Sequence, residues 1–149
     1  KDSPMTPEDV ASWYDDEDEE ESEGIYLSIS SKFVVAGGYG KQVVRQIPFM
    51  DFTCLPSEGN LNAVKDSLKE SGENKGIILL SGKSYHYYGL RSLSNSEWTH
   101  WMENWLRNRW LIPIADRRFI ERSLEDGYNF LRLTSGLSKP DIPVVVDVI

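Results

Sequence analysis

Between Gly76 and Leu90 a tight glycine-containing turn joins two strand-like runs. Gly76-Ile77-Ile78-Leu79-Leu80 leads into Ser81-Gly82-Lys83-Ser84-Tyr85-His86, and Tyr87-Tyr88-Gly89-Leu90 follows. Apolar and aromatic residues bounding such a turn favour strands. On an extended strand Ser84 and His86 share a face, with side chains roughly 6–7 Å apart. Glycine lets the backbone approach a ligand closely. The combination reads as a nucleotide-handling site.

The rest of the chain alternates irregularly between strand and helix signals. Ile25–Ile29, Phe33–Val35, Lys41–Ile47, Phe49–Cys54, Asn129–Leu133 and Val144–Val148 are strand-like, and Gly37–Gly40 is a turn. Leu61, Val64 and Leu68 recur at helical spacing, which predicts a helix over 60–71 closed by Gly72. Ser94 and Glu97 form a capping box. Behind it Trp98, Trp101 and Trp105, with Met102 and Leu106, mark one apolar face of a helix through about Arg107. Such an aromatic stripe reads as core rather than as a base-stacking platform. Phe119, Ile120 and Leu124 predict a last helix closed by Gly127. The class expected is α+β or mixed α/β, with no internal repeat.

The net charge of −8 is concentrated in a short stretch. Residues 15–23 hold eight acids in nine positions, too self-repelling for core, so 1–23 reads as a flexible acidic arm, with a helical turn begun by Thr6-Pro7-Glu8 and anchored by Trp13. The sharper alternative is an acidic segment that competes with nucleic acid for a basic cluster. That cluster comprises Arg107, Arg109, Arg117, Arg118, Arg122, Arg132 and Lys139. Beyond residue 23 there are 15 Lys and Arg against 13 Asp and Glu, so the body, 24–149, is near neutral and one domain in length. A near-neutral body argues against tight non-specific DNA binding, which draws its affinity from phosphate neutralisation. The single Cys54 excludes an internal disulfide, no apolar run approaches the ~20 residues of a membrane span, and Lys1–Val10 lacks the apolar core of a signal peptide. A cytoplasmic location is the expectation.

Several chemistries fail on spacing. Gly82-Lys83-Ser84 lacks the earlier glycine of a phosphate-binding P-loop, because Ile77 stands there, and strand rather than helix follows the serine. No Gly-x-Ser-x-Gly elbow is present for a hydrolase, and one Cys with two His cannot complete a structural zinc site. The carboxylates remain. Asp51 lies within Phe49-Met50-Asp51-Phe52, and Asp116 follows Leu111-Ile112-Pro113-Ile114-Ala115. An acid ending an apolar strand is costly unless paired, hydrogen-bonded or metal-bound. Each reads either as a cap or turn residue or as half of a Mg²⁺ or Mn²⁺ site, with a histidine beside it to contact a triphosphate.

The order of these features resembles the archaeo-eukaryotic primase superfamily, which includes primase-polymerases. Phe49-Met50-Asp51-Phe52-Thr53 is similar to its first motif, an apolar strand ending in Asp-x-Asp or Asp-x-Glu, with Thr53 in place of the second acid. Ser84-Tyr85-His86 looks like the second motif, Ala115-Asp116 like the third, and Leu131–Lys139 like a downstream Arg/Lys segment. The resemblance spans residues 47–140. It implies an RRM-like, mostly antiparallel sheet with a small additional α/β unit. It also implies Asp51 and Asp116 as metal ligands, those two with His86 as catalytic residues, and Ser84, His86, Arg132 and Lys139 as nucleotide-phosphate contacts. The implied cofactor is Mg²⁺ or Mn²⁺ and the implied partners are a nucleoside triphosphate and DNA or RNA. With a neutral hydroxyl at Thr53 the second ion's site loses a carboxylate. The expected activity is therefore metal-dependent binding of a nucleotide or nucleic-acid end, with catalysis reduced or lost. An active minimal nucleotidyltransferase and a non-catalytic protein-interaction module on the same fold stay open beside it.

Overall fold

The computed structural model describes residues 27–108, 114–135 and 141–149. Within them the chain runs β1 (Ser28–Ser30), β2 (Lys32–Ala36), β3 (Gln42–Gln46), β4 (Phe49–Asp51), α1 (Glu58–Glu70), β5 (Gly76–Leu80), β6 (Tyr85–Gly89), α2 (Asn95–Arg107), α3 (Arg117–Asp126), β7 (Phe130–Arg132) and β8 (Val144–Val148). The acidic arm, Arg109, the Leu111–Pro113 stretch and Lys139 lie outside the described residues.

The two runs around the Ser81–Ser84 turn are the middle of the principal sheet. β5 and β6 pair antiparallel, with Leu80 opposite Tyr85 and Gly76 opposite Gly89. β4 adds beside β6 and β8 beside β5, giving the all-antiparallel order β4-β6-β5-β8. The β4–α1–β5–β6 run supplies the RRM-like core, and the α+β class holds. The additional unit comprises two antiparallel ladders, β1 with β7 and β2 with β3, together with α2 and α3.

Strand alternation sorts the sheet's side chains into two packed layers. Met50, Phe52, Ile78, Tyr85 and Tyr87 meet Val64 and Leu68 of α1, the tryptophans of α2 and Ile120 of α3 in the main core. Trp98, Trp101 and Trp105 are all buried there, as their spacing predicts. Phe49, Leu79 and Tyr88 pack on the opposite face with Leu131 of β7. The β1–β7 ladder thus lies over the second face of the sheet.

Local chemistry sets the helix ends. Ser57 caps α1, which starts two residues before the spacing suggests and stops ahead of Gly72 at φ +91°. The capping box at Ser94 and Glu97 forms on α2 in both directions. Gly127, at φ +77°, ends α3 in the left-handed conformation glycine favours. No helix among the described residues is long and apolar enough to cross a membrane.

Candidate functional site

Asp51 ends β4 on the face opposite Met50 and Phe52, and its register partner on β6 is His86. The Asp51 Oδ1 and His86 Nε2 atoms are 3.4 Å apart, with the imidazole largely buried and 29% of the carboxylate side chain exposed. β7 forms the facing wall. Asp51, His86, Leu131, Arg132, Ser28, Phe119 and Phe130 line a cleft of about 310 Å³ between the sheet and the β1–β7 ladder. Arg132 is held in place by main-chain carbonyls: its Nη1 donates to Thr134 O and, at 2.9 Å, to Asp141 O. Nearby, Tyr88 packs edge-on against Phe49 at 4.7 Å. Burial first, and then the Asp51 charge, push the Tyr88 phenol well above its ordinary value, so it stays protonated as a neutral neighbour of the carboxylate.

Asp116 arrives beside Asp51 through the backbone. Ala115 bridges Phe52, Thr53 N donates to Ile114 O at 2.8 Å, and Asp116 N donates to Asp51 O at 2.8 Å. Of the strand expected to end at Asp116, the described residues form a bridge on the edge of β4, and Leu111–Pro113 lie outside them. The Asp116 carboxylate caps α3, with Oδ1 accepting from Arg118 N at 2.9 Å and Phe119 N at 3.1 Å. The cap reading of this residue holds, and the residue also lines a cleft. With Asp51 it bounds a second, larger cavity of about 470 Å³ whose walls include Arg118, Arg122, Tyr128, Asn129 and Phe130. Asp51, Phe119 and Phe130 line both cavities, which makes them neighbouring halves of one groove.

Ser84 sits apart from both linings. Its hydroxyl donates to Cys54 O at 2.7 Å, and the residue is buried. The turn before it closes on itself, Ser81 N donating to Ser84 O at 2.8 Å. Gly82, at φ +93°, lies against Asp141, where a Cβ would meet the carboxylate at 2.8 Å. The glycine's close approach is made to the chain's own Asp141. Sequence spacing thus brings Asp51, His86, Asp116 and Arg132 to one groove, while Ser84 is held against the end of β4.

Among the described residues no group of three or more His, Cys, Asp and Glu side chains is arranged to hold a metal. Of the three carboxylates that line the groove, Asp51, Asp116 and Asp126, the first two are stitched together by the backbone, and one oxygen of Asp116 is already used by its helix cap. Thr53, two positions beyond Asp51, is exposed and contributes no charge. This donor set suits a single Mg²⁺, which keeps several waters and takes one or two carboxylates together with substrate phosphates.

Sequence reasoning passed over Asn129, Tyr128 and Phe130, and it took Arg118 and Arg122 only as members of a basic cluster. The i, i+4 spacing of the two arginines puts them on one face of α3, a signal that was available. Nothing local marks Asn129, because its burial depends on Ser31, 98 residues earlier.

An antiparallel sheet carrying Asp opposite His, with a second Asp stitched to the same strand edge, defines an α+β domain with a groove lined by aspartates and arginines. The chain belongs to the AEP-like family, described as archaeo-eukaryotic primase 1D-like, whose model matches residues 8–141. The match takes in the acidic run. Neither the curated proteins nor the solved structures contain a match to this chain.

Proposed function

We infer that this primase-like domain binds a nucleoside triphosphate, or the phosphorylated end of a nucleic acid, in the groove bounded by Asp51, His86, Asp116 and Arg132. The observation that carries the reading is the convergence of four separate elements: β4, β6, the start of α3, and β7. Asp51 and Asp116 would hold one Mg²⁺ or Mn²⁺. When bound, that ion offsets phosphate charge and polarises a phosphoryl oxygen. Arg132, pre-oriented by two main-chain carbonyls, offers guanidinium N–H groups to phosphate oxygens. His86, held beside Asp51, supplies a ring N–H and a neighbouring positive charge whenever it is protonated. Thr53 leaves the site one carboxylate short of a two-ion arrangement, so binding outweighs nucleotidyl transfer.

The test is calorimetry with ATP, GTP, CTP and UTP, with and without Mn²⁺, on the wild type, Asp51→Asn and Asp116→Asn. The asparagine at 116 keeps an oxygen for the helix cap. A metal-dependent affinity that both variants abolish is the expected result. At about 100-fold excess over Kd the ligand adds about 2.7 kcal/mol of stability, visible as a melting shift of several degrees. Binding unaffected by either variant sinks the site. Incorporation of labelled nucleotide that depends on Asp51 and Asp116 would favour the minimal nucleotidyltransferase. Absence of any nucleotide effect would leave the protein-interaction module.

A further inference from the structure

The β2–β3 hairpin stands out from the body with its apolar side chains bare. Val34, Val35 and Val43 are exposed, and Tyr39 at the tip is fully so. Tyr39 sits at φ 59° and ψ 33°, in the left-handed region, between Gly38 and Gly40. For a bulky aromatic residue that conformation is an outlier, and such strain persists only where something offsets it. Among the described residues nothing covers the ring, so the offset lies outside the fold. The hairpin's charge is one-sided as well. No acidic residue occurs between Glu23 and Asp51, whereas Lys32, Lys41 and Arg45 all fall on the hairpin. Arg45 is tied to Ser92 through Nε and Nη2, each at 2.7 Å. Lys32 and Lys41 are exposed and take no part in the ion pairs among the described residues. The base of the hairpin is fastened to the rim of the groove. Ser31 N donates to Asn129 O at 2.8 Å, Asn129 N donates to Ser31 Oγ at 2.9 Å, and Gln46 Nε2 donates to Gly127 O at 2.8 Å. Tyr128 and Phe130, on either side of Asn129, are exposed and line the larger cavity. From that rim, five residues of extended strand reach about 17 Å.

We propose that the β2–β3 hairpin grips single-stranded nucleic acid and continues the groove. The strand passes Phe130 and Tyr128 and runs along the hairpin, where a base stacks on Tyr39 and Lys32 and Lys41 neutralise phosphates. The inference rests on the nucleotide reading above and adds a second contact region outside the groove. A single strand presents unstacked bases, and an aromatic ring takes the face of any of them. A duplex keeps those faces inside its stack, out of reach of the tip. The bare valines give the same bases and their sugars an apolar surface to lie on. Phosphates favour the acid-free hairpin over the groove, where Asp51, Asp116 and Asp126 stand among Arg118 and Arg122. Strand affinity that needs no metal therefore comes from the hairpin. Two free lysines make it modest and salt-sensitive, in keeping with the near-neutral body.

The experiment measures fluorescence anisotropy of a labelled oligothymidylate of about 20 nucleotides, in EDTA, with the full chain. Asparagine tolerates the left-handed region, so Tyr39→Asn should melt at or above the wild-type temperature. Its affinity for the oligonucleotide should nevertheless fall about tenfold, the scale of one lost stacking contact. Lys32→Gln combined with Lys41→Gln should lower the slope of log K against log salt by about 1.4, at about 0.7 per phosphate. Neither variant should change ATP affinity in Mn²⁺, which reports on the groove. Unchanged oligonucleotide affinity and salt slope overturn the grip and leave the groove reading standing. If ATP fails to bind while the oligonucleotide still depends on Tyr39, the groove reading falls and the hairpin stands. An equal loss with a blunt duplex overturns the single-strand assignment. Should the variants instead abolish binding to anionic vesicles, or self-association, with the oligonucleotide unaffected, the partner is a lipid surface or a second copy and the proposal is wrong.

Discussion

At Gly76 the fold leaves no room for a side chain, because a Cβ there would fall inside contact distance of the Tyr87 ring. The ring cannot retreat easily. Its hydroxyl donates to the buried Glu73 carboxylate at 2.7 Å, which also accepts from Arg91 Nε at 2.7 Å. Burial, and then the Glu73 charge, raise the Tyr87 phenol far above its ordinary range, so it remains a donor at any physiological pH. Gly76→Ala should therefore destabilise the protein by about 1–3 kcal/mol through overpacking, read as a lower urea midpoint with unchanged slope. An unshifted midpoint would mean the Tyr87–Glu73–Arg91 cluster relaxes at no cost. The sequence carries little sign of this cluster, since Glu73 lies in a polar Ser-Gly-Glu-Asn stretch that reads as loop. The Asp51–His86 pair was far more legible, because strand parity alone places each on a definite face. Asn129 was illegible for the opposite reason: its environment is assembled by the β1–β7 ladder from residues about a hundred positions apart.

Among the elements, α2 was the most legible, because its start signal and its apolar stripe are both local. Ser94 Oγ accepts from Glu97 N at 3.2 Å, and the Glu97 carboxylate accepts from Ser94 N at 2.7 Å. Ser94→Ala should cost about 1 kcal/mol, the usual weight of an N-cap. A pH dependence accompanies it. The hydrogen bond from the Ser94 backbone, and then its side chain, hold the Glu97 carboxyl below the 4.5 of a free Glu. A depressed folded-state value adds stability above the unfolded value and loses it as pH falls through the folded one. The stability gap between wild type and Glu97→Gln should hold constant above pH 4.5 and narrow steadily below it. A gap that persists unchanged to pH 2 would show that the carboxylate contributes through shape rather than charge. α3 was harder to read. Its cap, Asp116, could equally have been the last residue of a strand, and the hydrogen bonds its carboxylate accepts from Arg118 N and Phe119 N decide for the cap.

For the molecule as a whole, the α+β class followed from interleaved strand and helix signals, but the groove did not, since it forms only where the β1–β7 ladder covers the second face of the sheet. That cover is partial, and the sheet's far edge is left apolar. β8 borders the sheet beyond β5, with Val144, Val145, Val146 and Val148 all exposed, and Ile142 exposed just before it. Its one charged side chain, Asp147, turns to Lys65 of α1 at 2.8 Å, a hydrogen bond that holds the carboxyl below its ordinary value. Val146 falls at the register shift, between Val145 opposite Leu79 and Asp147 opposite Ile78, so it faces no residue of β5. An apolar edge strand with unpaired main-chain groups is a template for pairing with a second copy. Val146→Lys places a charge there without touching a ladder pair, and its stability should stay within about 0.5 kcal/mol of wild type. Light scattering during a thermal ramp at high protein concentration should fall markedly in this variant. Scattering that matches wild type, or that rises, would place the self-association surface elsewhere, with the β2–β3 hairpin and its exposed Val34, Val43 and Tyr39 the next surface to charge.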